Sequence, residues 1–422
     1  MRPTSSLLLS GIGASALVRH TEHQLPIVGD TLSSSTPCPV CRTDLLALHR
    51  NLITTSSQSG AEGNVGDWLI AYLQEHNFKT YKQQVSPRDN TGSNGRFNVL
   101  AWPAESNVGT TFEGDIEIST LVDVPPLLIT SHIDVVPPHI PYSIDDGDLT
   151  SETKIYGRGS ADAKGSVAAQ LTAINLLRSE GVLRGDDFLT VFVVGEEDLG
   201  DGMRTFSTFM EEKFPEAGFQ AAIFGEPTEN KLACGHKGML GCTVTATGQA
   251  GHSGYPWLGK SANDALVRGL VALIDADLGT NPIFGNTTVN LGLVHGGVAA
   301  NVIPAAAEAA MAVRVALGPQ ESGHLEVRRR MEAALKAVDT SLAMTCNQGY
   351  GVVECNCVVD GFDTIAVNYG TDVPNLSGNH TRYLYGPGDI LVAHSDHESI
   401  TIGALETAVD GYMTLIKHAL GK

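Results

Sequence analysis

Two hydrophobic patterns divide this chain. Between residues 43 and 237, short apolar runs alternate with segments whose apolar residues recur at helical spacing. NVLAWPA (98–104), PPLLITSHIDVV (125–136), DFLTVFVVGEED (187–198) and AAIFGEP (221–227) are apolar, partly β-branched and bounded by turn residues, so each predicts a strand. AEGNVGDWLIAYLQEHN (61–77) places Trp68, Leu69, Tyr72 and Leu73 at helical spacing, and a shorter helical patch covers 43–51. KGSVAAQLTAINLLRSEG (164–181) predicts a helix with Ala168, Leu171, Ile174, Leu176 and Leu177 mostly on one side, stopped by Gly181. The alternation implies an α/β fold: a mixed, mostly parallel sheet covered by helices.

Near residue 238 the pattern changes. MLGCTVTATGQAGHSG (239–254) alternates Val and Thr, as a half-exposed strand does. A helical pattern (261–276), two strand-like runs (287–297 and 306–317) and a second helical pattern (324–338) follow. This order predicts a small α+β unit over 238–344, inserted into a first domain that spans 43–237 and resumes over 345–422. No internal repeat interrupts either part.

Composition narrows the function classes. The chain has 422 residues, 42% hydrophobic and 18% charged, enough for two domains with full cores. Its formal net charge of −20 disfavours nucleic acid and anionic membrane surfaces as partners. No run of about 18 apolar residues predicts a membrane span. At the start, Arg2, the small apolar stretch Ser5 to Ala16 and the Ala14-Ser15-Ala16 site read as a signal peptide over 1–16. Residues 17–42 read as an irregular tail or propeptide. A secreted route makes the sequons at Asn286, Asn375 and Asn379 glycosylation candidates. It also makes disulfides the default state of the seven cysteines, with one left over.

The candidate chemistry collects at the ends of the predicted strands. His132 and Asp134 follow the run 125–130, where a strand opens into a loop. A His near a carboxylate suits a metal site, one nitrogen on the ion and the other oriented by a partner. Asp162 lies in GRGSADAKGS (157–166), which fails both the dinucleotide and the P-loop patterns, so it reads as a helix cap or as an acid turned to a metal. GEEDLG (195–200) reads as a solvated loop or as a cation site. Glu196 and Glu197 leave the strand end in different directions and so suit different jobs. GEPT (225–228) adds Glu226, and AHSDHES (393–399) adds His394, His397 and Glu398. Histidine with carboxylate and no cysteine suits catalytic zinc. Five ligands with one shared would make two open sites, in which two zinc ions are offset by three carboxylates and one bridging hydroxide.

Taken in order, SHIDVVP, GRGSADAKG, GEED, GEPT and AHSDHES resemble the M20 family of zinc metallopeptidases over roughly residues 43–420. That family includes glutamate carboxypeptidases, acetylornithine deacetylases, succinyl-diaminopimelate desuccinylases and aminoacylases. The resemblance implies a di-zinc catalytic domain interrupted by a small dimerisation or lid domain. It implies His132 and Glu226 on one zinc, Glu197 and His394 on the other, and Asp162 bridging both. Asp134 would orient His132, and Glu196 would act as general base beside a metal-bridging hydroxide. In the lid, His252 of AGHSG matches a histidine that polarises the scissile carbonyl, often from the opposite subunit. Asn301 of NVIP, Arg314, and Gly386 and Gly388 of YGPGD resemble substrate-binding positions. His397 stands where relatives often carry Asn or Asp.

The expectation is a secreted, extracellular exopeptidase with two Zn2+ ions per subunit, acting as a carboxypeptidase on peptides with a free terminal carboxylate. HKG at 236–238 resembles the deacetylase branch, so an N-acyl amino acid deacylase is the alternative. A non-catalytic zinc-binding protein is the alternative of another class. A homodimer through the inserted domain is the expected assembly option.

Overall fold

The strand Leu127–His132 is buried at every residue, because its apolar run lies at the centre of a six-stranded sheet. The computed structural model describes residues 39–87, 95–106, 124–215, 217–347 and 349–422. The predicted signal peptide, the tail up to residue 38, Cys38 and the side chain of Cys41 lie outside the described residues. A helix, Pro39–Thr54, covers the last residues of the segment read as tail. Proline suits a helix start, where its missing N–H would have no intrahelical partner.

The sheet order is Phe78–Val85, Arg96–Pro103, Phe188–Val193, Leu127–His132, Ala221–Gly225 and Thr381–Tyr385. The last four strands run parallel, and the first two add an antiparallel edge. Successive side chains point to opposite faces, so Leu127 and Ile129 enter one core and Leu128 the other. The first core is closed by helices Pro39–Thr54, Gly63–Glu75, Lys164–Ser179 and Ile402–Ala419 through Leu48, Leu69, Ile174 and Leu405, among others. The helix Lys164–Ser179 is buried on most of its surface, not on one side alone, because it lies between the sheet and the outer helices. The second core takes Met203, Phe206 and Met210 from helix Asp201–Lys213.

Beyond residue 237 the chain builds a second sheet, ordered Thr288–Gly296, Ala306–Val315, Gly238–Thr247 and Leu342–Cys346, all antiparallel. Helices Ala262–Asp275 and Gly323–Val338 contribute to its separate core through Leu266, Leu270, Val327 and Met331. Ser261 caps the first of them, accepting the Asp264 N–H at 3.2 Å. Two disulfides, Cys234–Cys357 and Cys242–Cys346, bracket this excursion, and Cys355 is a free thiol. Burial pushes the Cys355 thiol up to about 12, away from the thiolate form. Among the described residues, no helix is long and apolar enough to cross a membrane.

Candidate metal centre

All four parallel strands end at the same edge of the sheet, and that edge is where the chemistry gathers. His132 is the last residue of the central strand. Glu196 and Glu197 follow strand Phe188–Val193, Glu226 follows Ala221–Gly225, and Gly386 follows Thr381–Tyr385. Asp162 and His394 arrive from outside the sheet. The short strands Lys154–Tyr156 and Ser399–Thr401 pair antiparallel, which lays the loop before helix Lys164–Ser179 against the loop that carries His394.

The distances define one cluster. His132 Nδ1 donates to the backbone carbonyl of Asp134 at 2.9 Å, while the nearest Asp134 carboxylate oxygen is 3.6 Å away. The main chain of Asp134 thus makes the closer contact to the ring. His132 Nε2 lies 3.1 Å from Asp162 Oδ1, 3.9 Å from Glu226 Oε2 and 4.0 Å from Glu196 Oε2. His394 Nε2 lies 2.8 Å from Glu197 Oε2 and 3.3 Å from Asp162 Oδ2. Asp162 therefore offers one oxygen to each histidine. Within the cluster, His132, Asp162 and Glu197 form one group able to hold a metal ion, and His132, Glu196 and Glu226 form another.

The carboxylate of Asp134 has its own task. Its oxygens accept the N–H groups of Glu196 at 3.1 Å and Glu197 at 3.3 Å, and the Ser59 hydroxyl at 2.7 Å. It fixes the main chain of both glutamates at once.

The electrostatics favour positive charge within the cluster. Burial, with Glu226 alongside, pushes Glu196 well above the usual carboxylate range. Burial likewise pushes Glu226 well up, and with Asp162 nearby it raises Glu197 to about 7. His394 is raised to about 10 by its hydrogen bonds to Asp162 and Glu197. Burial opposes a charge on His132, yet Glu226, Asp134 and Asp162 raise it well above an ordinary histidine. So many buried carboxylates are costly together, and positive charge among them relieves the cost. Glu197 Oε1 is buried without a hydrogen-bond partner among the described residues. Two imidazoles, several carboxylates and that orphaned oxygen fit zinc-like divalent ions.

The structure gathers His132, Asp134, Asp162, Glu196, Glu197, Glu226 and His394. It places His252 on the inserted domain, exposed, with Nδ1 accepting the Gly254 N–H at 3.0 Å and Tyr255 packed against the ring. Asn301 is exposed on the same domain, in the loop whose carbonyl accepts the Ser253 N–H. Arg314 is half-buried on the strand Ala306–Val315. Gly386 is buried against the Glu226 main chain, where an added Cβ would stand 2.5 Å from the Glu226 carbonyl, so only glycine fits there. Gly388 has a φ of +95°, in the glycine-favoured region. His397 does not compete with His394; its ring is exposed and pairs with Asp396 at 2.8 Å.

Three site neighbours were missed in the sequence reading. Asp372 is buried, with Oδ1 accepting from the Asn375 amide at 2.7 Å and Oδ2 without a hydrogen-bond partner among the described residues, and burial raises it to about 6. Tyr350 is raised to about 12 by burial, with Glu196 adding and Arg314 opposing. The Tyr369 hydroxyl donates to the Pro227 carbonyl at 2.8 Å. A Gly-Thr-Asp loop signal was present at Asp372, but nothing local tied it to a strand far away in sequence.

Residues 234–341 match the family model described as a peptidase dimerisation domain. A peptidase M20 domain-containing protein from Sordaria macrospora is 50% identical, covering 91% of this chain and 86% of its own length. A protein named probable carboxypeptidase from Aspergillus oryzae is 45% identical, covering 89% of this chain and 87% of its own length. The crystal structure of an M20 family metallo-carboxypeptidase from Sulfolobus solfataricus superimposes with a TM-score of 0.63 at 14% identity, covering 90% of this chain and all of that one. With that degree of identity over nearly the full length of its relatives, this chain belongs to the M20 family of peptidases.

Proposed function

We propose that this chain is a secreted exopeptidase that holds two zinc ions and cleaves the amide bond next to a free terminal carboxylate. The observation that carries the reading is Asp162 set between His132 and His394, with one carboxylate oxygen toward each. His132 and Glu226 would hold one ion, Glu197 and His394 the other, and Asp162 both. When bound, zinc polarises a scissile carbonyl and lets water ionise near neutral pH. Glu196, fixed at its main chain by Asp134, takes a proton from the attacking water and returns it to the leaving nitrogen. Arg314 and Asn301 receive the terminal carboxylate, to which a guanidinium fork is suited. Gly386 and Gly388, on the loop after strand Thr381–Tyr385, would line the substrate from the catalytic domain.

His252 acts on the developing oxyanion from the inserted domain. Supporting a homodimer, the edge strand Thr288–Gly296 exposes Leu293 and Val294, and helix Ala262–Asp275 exposes Val267, Val271 and Ile274. His252→Ala is expected to keep the parent's zinc content while lowering turnover by an amount equal to about 2.7–4 kcal/mol of barrier. Elemental analysis beside a turnover assay checks this, and unchanged turnover at full zinc loading removes His252 from the reaction.

The deciding experiment assays zinc-loaded protein on blocked dipeptides against N-acyl amino acids. Release of the C-terminal residue from blocked dipeptides is expected. Cleavage of N-acyl amino acids alone would make it a deacylase, the reading that HKG favours. His236 of that tripeptide is buried, however, with its ring nitrogens bonded to the Lys237 carbonyl and the Thr371 hydroxyl, which is a packing role. No cleavage of either class at full loading would leave a zinc-binding protein without activity.

Secretion is supported by the two disulfides. Asn286 and Asn379 are exposed, whereas Asn375 is half-buried with its amide committed to Asp372. Mass spectrometry of the native protein is expected to find an N-terminus at or after Leu17 and glycan on Asn286 or Asn379. Intact Met1 with no glycan would remove secretion from the proposal.

A further inference from the structure

One buried ion pair beside the cluster belongs to neither proposed ligand set, yet it joins the two loops that would hold the second ion. Arg158 and Glu398 meet at 2.7 Å, with side chains 2% and 0% exposed. Glu398 Oε1 accepts the N–H groups of Ala161 at 3.1 Å and Asp162 at 3.2 Å. Its other oxygen takes Arg158 Nη1. Arg158 then reaches across to the opposite loop, donating to the Ser395 carbonyl at 3.0 Å and the His394 carbonyl at 3.3 Å. Its Nε donates to the Pro138 carbonyl at 3.4 Å. The carboxylate side of the pair therefore holds the main chain of Asp162, and the guanidinium side holds the main chain of His394.

Stability alone does not account for this arrangement. A buried ion pair gains little over an apolar pair of similar volume, because desolvating both charges offsets their attraction. What the pair supplies that apolar side chains cannot is a set of directed hydrogen bonds to two separate loops. His394 needs such support. Its side chain is 53% exposed, so packing does not fix the ring, and its φ of +63° lies in a region that non-glycine residues rarely occupy. Second-layer hydrogen bonds of this kind commonly set the affinity of a metal site.

We propose that Arg158 and Glu398 are positioning residues that set the spacing of the Asp162 and His394 loops, and so govern occupancy of the second ion more strongly than that of the first, which shares Asp162 but keeps His132 and Glu226 in place. This rests on the two-ion reading above. The test strips full-length protein with a chelator and titrates it with zinc. Ions are counted by elemental analysis, affinities are read by competition with a chromophoric chelator, and melting is followed with and without zinc. The paired variant Arg158→Met with Glu398→Met is expected to melt near the parent when metal-free. It should bind the second zinc at least tenfold more weakly, and the first with a smaller loss, because Asp162 is shared. Arg158→Lys, which keeps the charge and loses the fork, should weaken the second ion by a smaller factor and covers the case in which the paired variant does not fold. A parent with two ions and folded variants with unchanged affinity for both would overturn the clamp alone. A parent that takes up a single ion would overturn the two-ion reading and the clamp with it.

Discussion

Glu196→Gln is expected to retain both zinc ions and lose roughly 10²–10⁴-fold in turnover, whereas Glu197→Gln is expected to lose zinc. The two residues are adjacent, identical in type and held by the same carboxylate, since Asp134 accepts both of their N–H groups. Their side chains nevertheless diverge. Glu197 Oε2 reaches His394 Nε2 at 2.8 Å, close enough for both to share one ion. Glu196 Oε2 lies 4.0 Å from His132 Nε2, about as far as Glu226 Oε2 at 3.9 Å, so it can face either an ion or a reacting molecule, and the glutamine variant separates the two roles. Glutamine keeps the shape at 196 and removes the proposed base. At 197 it removes a negative charge that the proposed site would set against a cation. Elemental analysis of both variants and turnover on one blocked dipeptide decide the matter. Two active variants, each with two zinc ions, would sink both assignments.

Removing the two disulfides together is expected to destabilise the protein by more than the two single removals combined. Cys234–Cys357 closes 123 residues and Cys242–Cys346 closes 104 of the same residues. While either bridge is intact, the other closes only the remaining 19, a loop whose constraint is worth about 3 kcal/mol. Once one is gone, loss of the second frees a loop of more than 100 residues, which costs about 5 kcal/mol. Urea unfolding of Cys234→Ser with Cys357→Ser, of Cys242→Ser with Cys346→Ser, and of the fourfold variant measures this. Strictly additive losses would show that the bridges act through native packing and not through the unfolded chain.

Much of the architecture is readable from local pattern, and its failures are equally local. The helix Asp201–Lys213 went unpredicted although Met203, Phe206 and Met210 recur at helical spacing, because the acids before it drew the reading toward a loop. The edge strand Phe78–Val85 was missed because its Lys and Gln residues break the apolar alternation. Charged residues on an edge strand limit pairing with other chains, so a polar edge is an ordinary arrangement.

The sequence by itself determined the family motifs, the buried central strand ending at His132, and the change of pattern at residue 238. These follow from short-range periodicity and from residue types that suit few chemistries. Only the tertiary structure decided which groups meet. It brought Asp162 between two histidines 30 and 232 positions away, selected two disulfide pairs from the cysteines, and turned the Asp134 carboxylate toward the glutamate main chain. It also buried Arg158 against Glu398, 240 residues apart in sequence. The physical reason is that parallel strands place their carboxyl ends on one edge whatever the length of chain between them. Contacts made across that edge depend on strand order, which no local pattern encodes.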